Sequence, residues 1–490
     1  MVLSHRRFTR AGNLKANIVV IGGGGCGLAG AVSAAEKGAR VILLEKNSIP
    51  GGNTSFVLGI FAAESQAQRR LNIDLSRDEA FKIAMDYAHW KIDPKIFRTF
   101  VDKSGDTIKW LEDKGLKFDN IPPLYPGHNI RTWHCLADKG AGLPIILTLR
   151  HACESLGIMM LFKCEAKKIL TGNKGEVVGI IASQEGKELT IETKAVIIGT
   201  GGYGGNRELL KKYFPSYSEK MVYIGFPHVT GDGLRMAMEA GAATEGLGIL
   251  MLHTHYYKGS IHINGMAQEP ATLWVNKNGE RFVNEMLTFQ PTECGNIIDR
   301  QPDKCVYSLF DDKVLHKVME EGLLKGVPPR RIPGVCGIRP TNLNRELQSE
   351  SAKGNIMIAD SWNDVASWMG VASGALENTV EEYNSSCDRG YDEIFNKDRR
   401  YLHALRTRPY YAIKGYLCFL TTLGGIKINR HMEVLNNQDE PISGFYAGGD
   451  TTGGWQSDTY CMLLPGTASG FAINSGRIAG ENAAAFALEK

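Results

Sequence analysis

At 490 residues the chain is long enough for two or three domains of ordinary size. Its 43% hydrophobic and 22% charged residues describe an ordinary globular protein, and 56 Lys and Arg against 53 Asp and Glu leave a formal charge of +3. Basic residues nowhere cluster among aromatics, so no nucleic acid is expected as a partner; no Cys-x-x-Cys pair occurs among the 10 cysteines, which argues against a zinc ribbon, an iron–sulfur cluster or an attached haem.

The segment Met1 to Lys15 is basic but lacks an apolar export core and reads as a short solvated arm. No run approaches the ~18 apolar residues of a membrane span, so no membrane span is expected, and the unpaired cysteines fit a reduced, cytoplasmic setting. Residues 18 to 27, Ile-Val-Val-Ile-Gly-Gly-Gly-Gly-Cys-Gly, predict a strand that breaks into the turn Gly22-x-Gly24-x-x-Gly27, with a helix over Leu28 to Lys37 that stops at Gly38. Such a turn lets bare backbone and a helix N-terminus meet a pyrophosphate. A second strand, Arg40 to Glu45, ends in an acid where a dinucleotide ribose would present its hydroxyls. Cys26, inside the turn, reads as a small packing residue.

Helical spacing follows from Asp74 to Gly115. Strand-like pieces come next at Met160–Cys164, Val177–Ala182, Leu189–Thr193 and Ala195–Gly199, the third and fourth suiting a small meander that feeds back into the main sheet. The last opens into Thr200-Gly-Gly-Tyr-Gly-Gly205, and a comparable glycine loop occurs at Phe445-Tyr-Ala-Gly-Gly-Asp450 ahead of a helix running towards Glu481. Between about Gly248 and Leu420 the character changes, with clustered histidines and tyrosines and a Pro-rich stretch. Leu273 to Val283 predicts a hairpin turning at Asn278-Gly279. This region is expected to be a second domain inserted into the first.

Gly51-Gly-Asn-Thr-Ser55 with Gly59, Thr230-Gly-Asp-Gly233, Asn276-x-x-Gly-Glu-Arg-Phe-Val-Asn-Glu285 and Gly424-Gly425 join the glycine fingerprint in a pattern that resembles the flavoprotein superfamily of fumarate reductases, succinate dehydrogenase flavoprotein subunits and 3-ketosteroid dehydrogenases. The resemblance implies an α/β fold: a Rossmann-like FAD-binding domain over residues 1–247 and 421–490, with an inserted α+β capping domain over 248–420. It implies FAD held without a covalent link, because the histidine that carries that link in membrane-bound members is not found near Asn53. Cofactor contacts are expected at Gly22, Gly24, Gly27, Glu45 and Lys46, then at Gly51, Gly52, Asn53, Thr54, Ser55 and Gly59. Further contacts are expected at Ala166, Thr200, Gly201, Gly202 and Asp232, and finally at Gly449, Asp450, Gly466, Thr467 and Ala468.

The family's fumarate-handling side chains are not kept. Its acid arginine falls at Phe289, its substrate histidine at Thr421 and its carboxylate-clamping arginine at Leu463. A small dianion needs guanidinium partners to offset its desolvation, so Phe289, Thr421, Leu463 and Leu464 point to a larger, less charged substrate with an apolar body. His253 keeps a family position. Tyr460 falls near the ketone-polarising tyrosine of ketosteroid dehydrogenases, but Met462 occupies its place in the motif. The candidate proton donors are therefore Tyr460, His253, His255 and Tyr257, with Tyr256 beside them; each of the four bunched at 253–257 also suits an aromatic domain interface. Arg281 and Glu285 read as a structural pair.

The expected activity is that of an FAD oxidoreductase reducing or forming a carbon–carbon double bond next to a carbonyl, on an enone, ketosteroid-like or aryl-enoate substrate. The alternative is a flavoprotein subunit that relays electrons within a complex. Only one dinucleotide fingerprint is present, so electrons are expected to be exchanged with an external donor or acceptor, either a protein or a small carrier.

Overall fold

The computed structural model describes residues 14–124, 127–137, 141–324 and 339–489. Most of the N-terminal arm and most of the Pro-rich stretch lie outside the described residues.

Four short apolar strands build most of the first sheet. Ile18–Ile21, Val41–Glu45, Met159–Phe162 and Ala195–Ile198 run parallel, and Pro441–Ala447 and Glu433–Leu435 extend the sheet to six strands. The three inner strands at 18–21, 41–45 and 195–198 are buried at every position, as expected of a parallel sheet covered on both faces. Helix Gly25–Glu36 follows the first strand and packs against the C-terminal helix Thr467–Leu488. Glycines make that contact possible: a Cβ on Gly476 would fall 2.2 Å from the Cys26 carbonyl oxygen, and one on Gly480 2.3 Å from that of Gly30. The helices expected between Asp74 and Gly115 form at Arg77–Tyr87 and Pro94–Asp113. The second starts at Pro94, and the Asp93 side chain accepts from the Lys95 and Ile96 amides at 2.7 and 3.1 Å.

The strands after Met159 divide differently from the expectation. Met159–Phe162 completes the main sheet, Lys163 turns the chain with φ +51°, and Cys164–Thr171, Val177–Gln184 and Lys187–Glu192 form an antiparallel meander to which Leu14–Lys15 adds an edge. Ala195–Ile198 then re-enters the main sheet.

A separate sheet is organised around the 13-residue strand Tyr410–Thr422, which pairs with Leu250–Tyr256, Cys305–Asp311, Ile356–Ala359 and Val222–Tyr223. Beside it lies a second hydrophobic core drawn from residues between Tyr257 and Ile413. The turn at Asn278-Gly279 forms, with the Asn276 amide donating to the Glu280 carbonyl at 2.9 Å and Gly279 at φ +79°. The expected hairpin does not: Leu273–Val275 pairs with Tyr307–Leu309 instead, and the returning arm makes one bridge, at Arg281. Burial of charge accounts for the departure. Arg281 turns inward to Glu285 at 2.9 Å and Asp392 at 2.8 Å, and Lys397 meets the same Glu285 at 3.0 Å. The Arg281–Glu285 pair is thus present as expected.

Candidate active site

The first strand ends in a turn that only glycine can make. Gly22 has φ +105°, and a Cβ there would fall 2.5 Å from the Gly199 carbonyl oxygen; one on Gly27 would sit 1.8 Å from that of Gly22. Helix and strand therefore approach closely, and the N-cap residue of the helix that begins at Gly25 is Gly24, which has no side chain to offer. The loop is braced from below. Gly23 N–H donates to Glu45 Oε2 at 2.7 Å, Gly25 N–H to Thr54 Oγ1 at 2.9 Å, and Gly51 N–H to the Gly23 carbonyl at 3.0 Å.

Three glycine loops, 22–25, 199–201 and 448–450, meet along one groove. Of the expected cofactor residues, it gathers Gly22, Gly24, Glu45, Lys46, Gly51 and Gly52, together with Asn53, Thr54, Ala166, Thr200, Gly201, Asp232, Gly449 and Asp450. Glu45 Oε1 accepts from the amide and side chain of Asn47, both at 2.8 Å. Lys46 reaches across to pair with Asp232 and bonds Thr230 Oγ1 at 3.1 Å.

Among the described residues, two buried polar atoms in this groove have no hydrogen-bond partner: Asn53 Nδ2 and Asp450 Oδ1. Asn53 Oδ1 accepts from the Phe226 amide at 2.7 Å, and Asp450 Oδ2 from the Thr421 hydroxyl at 2.8 Å, so each side chain is held in place with one polar atom left over. Burial pushes the Asp450 carboxyl up to about 7, and the Thr421 hydroxyl only partly offsets it. An unpaired buried donor and acceptor are costly, and they fit a ligand rich in hydroxyls and ring heteroatoms. The helix N-terminus and bare glycine backbone fit a pyrophosphate. The residues present therefore suit FAD.

Other expected contacts lie outside the lining. Gly27 and Gly202 serve close packing, the latter against Thr422, where a Cβ would fall 2.0 Å from Oγ1. Gly59 backs onto Trp133 and His134, and the Ser55 carbonyl accepts from Gly142. Gly466, with φ +85°, precedes the C-terminal helix; the Thr467 hydroxyl donates to the Leu464 carbonyl, and the Ala468 amide to the Tyr460 hydroxyl at 3.0 Å. The groove also includes Asn47, Cys164, Glu165, Phe226, His228 and Val229, which the sequence reading did not single out. Only the neighbouring Thr230-Gly-Asp-Gly motif could have pointed to the last three.

The proposed proton donors separate. Tyr460 is buried beside the start of the C-terminal helix, where burial raises its phenol well above the usual range. Its carbonyl accepts from the Tyr87 hydroxyl at 3.3 Å, which also donates to Glu293 at 3.0 Å. Helix Pro291–Asp299, carrying Glu293, lies against strand Leu250–Tyr256, since a Cβ on Gly295 would meet the His253 carbonyl oxygen at 2.9 Å. The backbone at His253 is thus brought to the same seam. His255 is not: its Nε2 meets the Ala267 carbonyl and Ser308 Oγ, both at 2.9 Å, and its ring packs edge-on to Trp274. Tyr257 donates to Glu350 at 2.5 Å inside the second core. A bulge between His253 and His255 breaks the alternation that would have put both on one face. Among the described residues no cluster suits a metal ion, and no helix is long and apolar enough to cross a membrane.

Comparison with known proteins follows this geometry. The chain is 32% identical over 487 residues to a vinyl phenol reductase of Lactiplantibacillus plantarum, covering 96% of each. It is 29% identical to an NADH:fumarate oxidoreductase of Klebsiella pneumoniae, of which it spans 47%. The solved open conformation of a flavocytochrome c3 fumarate reductase superposes with a TM-score of 0.77 at 27% identity, covering 98% of this chain and 80% of that one. The family model described as FAD binding domain matches residues 17–461, so the chain belongs to that family and is an FAD-dependent oxidoreductase.

Proposed function

We propose that this chain reduces the carbon–carbon double bond of a weakly charged, aryl- or enone-type substrate, and that residues 248–420 act as a cap over the flavin. The observation that carries the reading is the end-to-end likeness to a vinyl phenol reductase. Three features support it. Phe289 is buried where a fumarate-reducing relative is expected to place arginine, Thr421 has its hydroxyl committed to Asp450, and Leu463 supplies no charge. The second core, drawn from residues 257 to 413, favours a cap with its own packing.

In this reading FAD lies along the groove without a covalent link. The 22–25 turn would hold its pyrophosphate, Glu45 its ribose, Asp450 its ribityl chain and the Gly466–Ala468 turn its pyrimidine. When bound and reduced, the flavin supplies the hydride. The chain supplies the rest. Tyr460 accepts the Ala468 N–H beside the start of the C-terminal helix, and its hydroxyl is the favoured proton donor, with His253 the runner-up. His255 and Tyr257, committed within the cap, serve packing.

The test is anaerobic turnover of FAD-loaded protein with reduced methyl viologen as donor, comparing 4-vinylphenol, a cyclic enone, a cinnamate and fumarate. Consumption of any of the first three in preference to fumarate supports the reading. Preference for fumarate, or no turnover of any alkene, contradicts it, and the second result favours an electron-relaying subunit.

A further inference from the structure

Helix Pro291–Asp299 meets residues 456–461 at the seam beside Tyr460, where Asn296 donates to the Thr459 hydroxyl at 3.0 Å. Tyr87, at the end of helix Arg77–Tyr87, donates to Glu293 Oε1 at 3.0 Å and to the Tyr460 carbonyl at 3.3 Å. Gln456 Oε1 accepts from the Cys461 amide at 3.2 Å, which fixes the end of the Gln456 amide that turns away. On these two segments three buried polar atoms have no hydrogen-bond partner among the described residues: Thr292 Oγ1, Glu293 Oε2 and Gln456 Nε2. None of the three residues lines the FAD groove.

Such atoms are costly to leave unpaired, and they fit a ligand with a polar end. Glu293 is the ionisable member. Tyr87 fixes one of its oxygens and leaves the other to accept. Burial outweighs its hydrogen bonds and holds the carboxyl above the usual range, which makes the carboxylate a stronger base than an exposed one. Tyr460 spans the way from this base to the favoured proton donor: its carbonyl lies at Tyr87, and its hydroxyl at the Ala468 amide. Tyr460 is itself a para-substituted phenol, so a vinylphenol laid head to tail beside it reaches from one end to the other. An enone has a carbonyl oxygen to take up charge when hydride adds, and an aryl alkene has none. A para hydroxyl serves instead, once its proton leaves.

We propose that Glu293 is the general base for a para-hydroxylated aryl alkene, taking the phenolic proton on Oε2 while Tyr460 protonates the far end of the double bond. The phenolic O–H bond breaks and its electron pair stays with oxygen, which forms the C=O of a para-quinone methide. The alkene π electrons bond the terminal carbon to the proton from Tyr460. Hydride from the reduced flavin then adds to the carbon next to the ring, the C=O π pair returns to oxygen, and Glu293 gives its proton back to leave the alkylphenol. Tyr460 recovers its proton from water. The proposal rests on the alkene-reductase reading above and narrows its substrate class to hydroxyaryl alkenes.

The test measures binding first. 4-Ethylphenol and its methyl ether, 4-ethylanisole, are titrated separately into FAD-loaded protein and followed by perturbation of the flavin spectrum. The phenol should bind about tenfold more tightly, and Glu293→Gln, which keeps an acceptor for Tyr87, should lose most of that preference. In anaerobic turnover with reduced methyl viologen, 4-vinylphenol should be reduced at least about a hundredfold faster than 4-vinylanisole, which has no phenolic proton to give. The ratio of kcat for 4-vinylphenol to kcat for a cyclic enone should fall at least about thirtyfold in Glu293→Gln, a change that a merely structural role would not produce. Equal binding of phenol and ether, comparable reduction of 4-vinylanisole, or an unchanged ratio in the variant would overturn the proposal. Absence of alkene turnover by the wild-type chain, by contrast, would strike the proposed reaction and leave the hydroxyl preference in binding readable.

Discussion

The Thr421 hydroxyl donates to Asp450 Oδ2 at 2.8 Å, while the buried Asp450 Oδ1 has no partner among the described residues. Half-satisfied burial raises the carboxyl from 3.8 to about 7. The folded, cofactor-free chain then binds a proton that the unfolded chain has released between about pH 4 and 7, so its stability falls as pH rises through that window. The loss amounts to no more than about 4 kcal/mol. Thermal unfolding of the flavin-free protein should show Tm falling from pH 5 to 7.5, and Asp450→Asn should flatten that slope. A wild-type Tm that rises over the same range would contradict the assignment.

Gly27 leaves no room for a side chain. Its Cβ would sit 1.8 Å from the Gly22 carbonyl oxygen, both atoms belonging to packed backbone that cannot yield. Gly27→Ala should abolish flavin retention and give largely insoluble protein, checked by the absorbance of purified material near the flavin maximum. Normal flavin content in this variant would show that the turn is looser than its geometry indicates.

The Lys397–Glu285–Arg281 cluster is a buried charge network. Burial alone would push the Glu285 carboxyl up, yet Lys397 and Arg281 outweigh it and hold it below the usual range. Removing one cation leaves a carboxylate without full compensation, at a cost of about 3–5 kcal/mol. Lys397→Met should therefore lower stability by about 3 kcal/mol in urea unfolding, with FAD affinity little altered because the cluster does not line the flavin groove.

Tyr460→Phe separates catalysis from packing. It leaves the Ala468 amide without its acceptor, a cost of about 1–3 kcal/mol, and retains the ring. If the hydroxyl delivers the proton, kcat should fall about a hundredfold or more with FAD content intact. A fall of less than about threefold would move the role to His253.

How much of this was legible beforehand depends on how local each feature is. The strand, glycine turn, helix and Glu45 follow one another along the chain, so composition and spacing were enough to place them. Lys46 and Asp232, named from resemblance, meet across a gap of 186 residues. Cys164 and Glu165 carry no motif and reach the groove only because Lys163 turns the chain there. His253 and His255 look equivalent in sequence, and the bulge that separates them depends on pairing with Tyr410–Thr422, more than 150 positions away.

The central claim is tested most directly by anaerobic stopped-flow mixing of dithionite-reduced, FAD-loaded protein with 4-vinylphenol and, separately, with fumarate. Rapid reoxidation of the flavin by 4-vinylphenol, and none by fumarate, is the predicted result. Reoxidation by fumarate alone would contradict the reading of Phe289, Thr421 and Leu463, and with it the proposed substrate class.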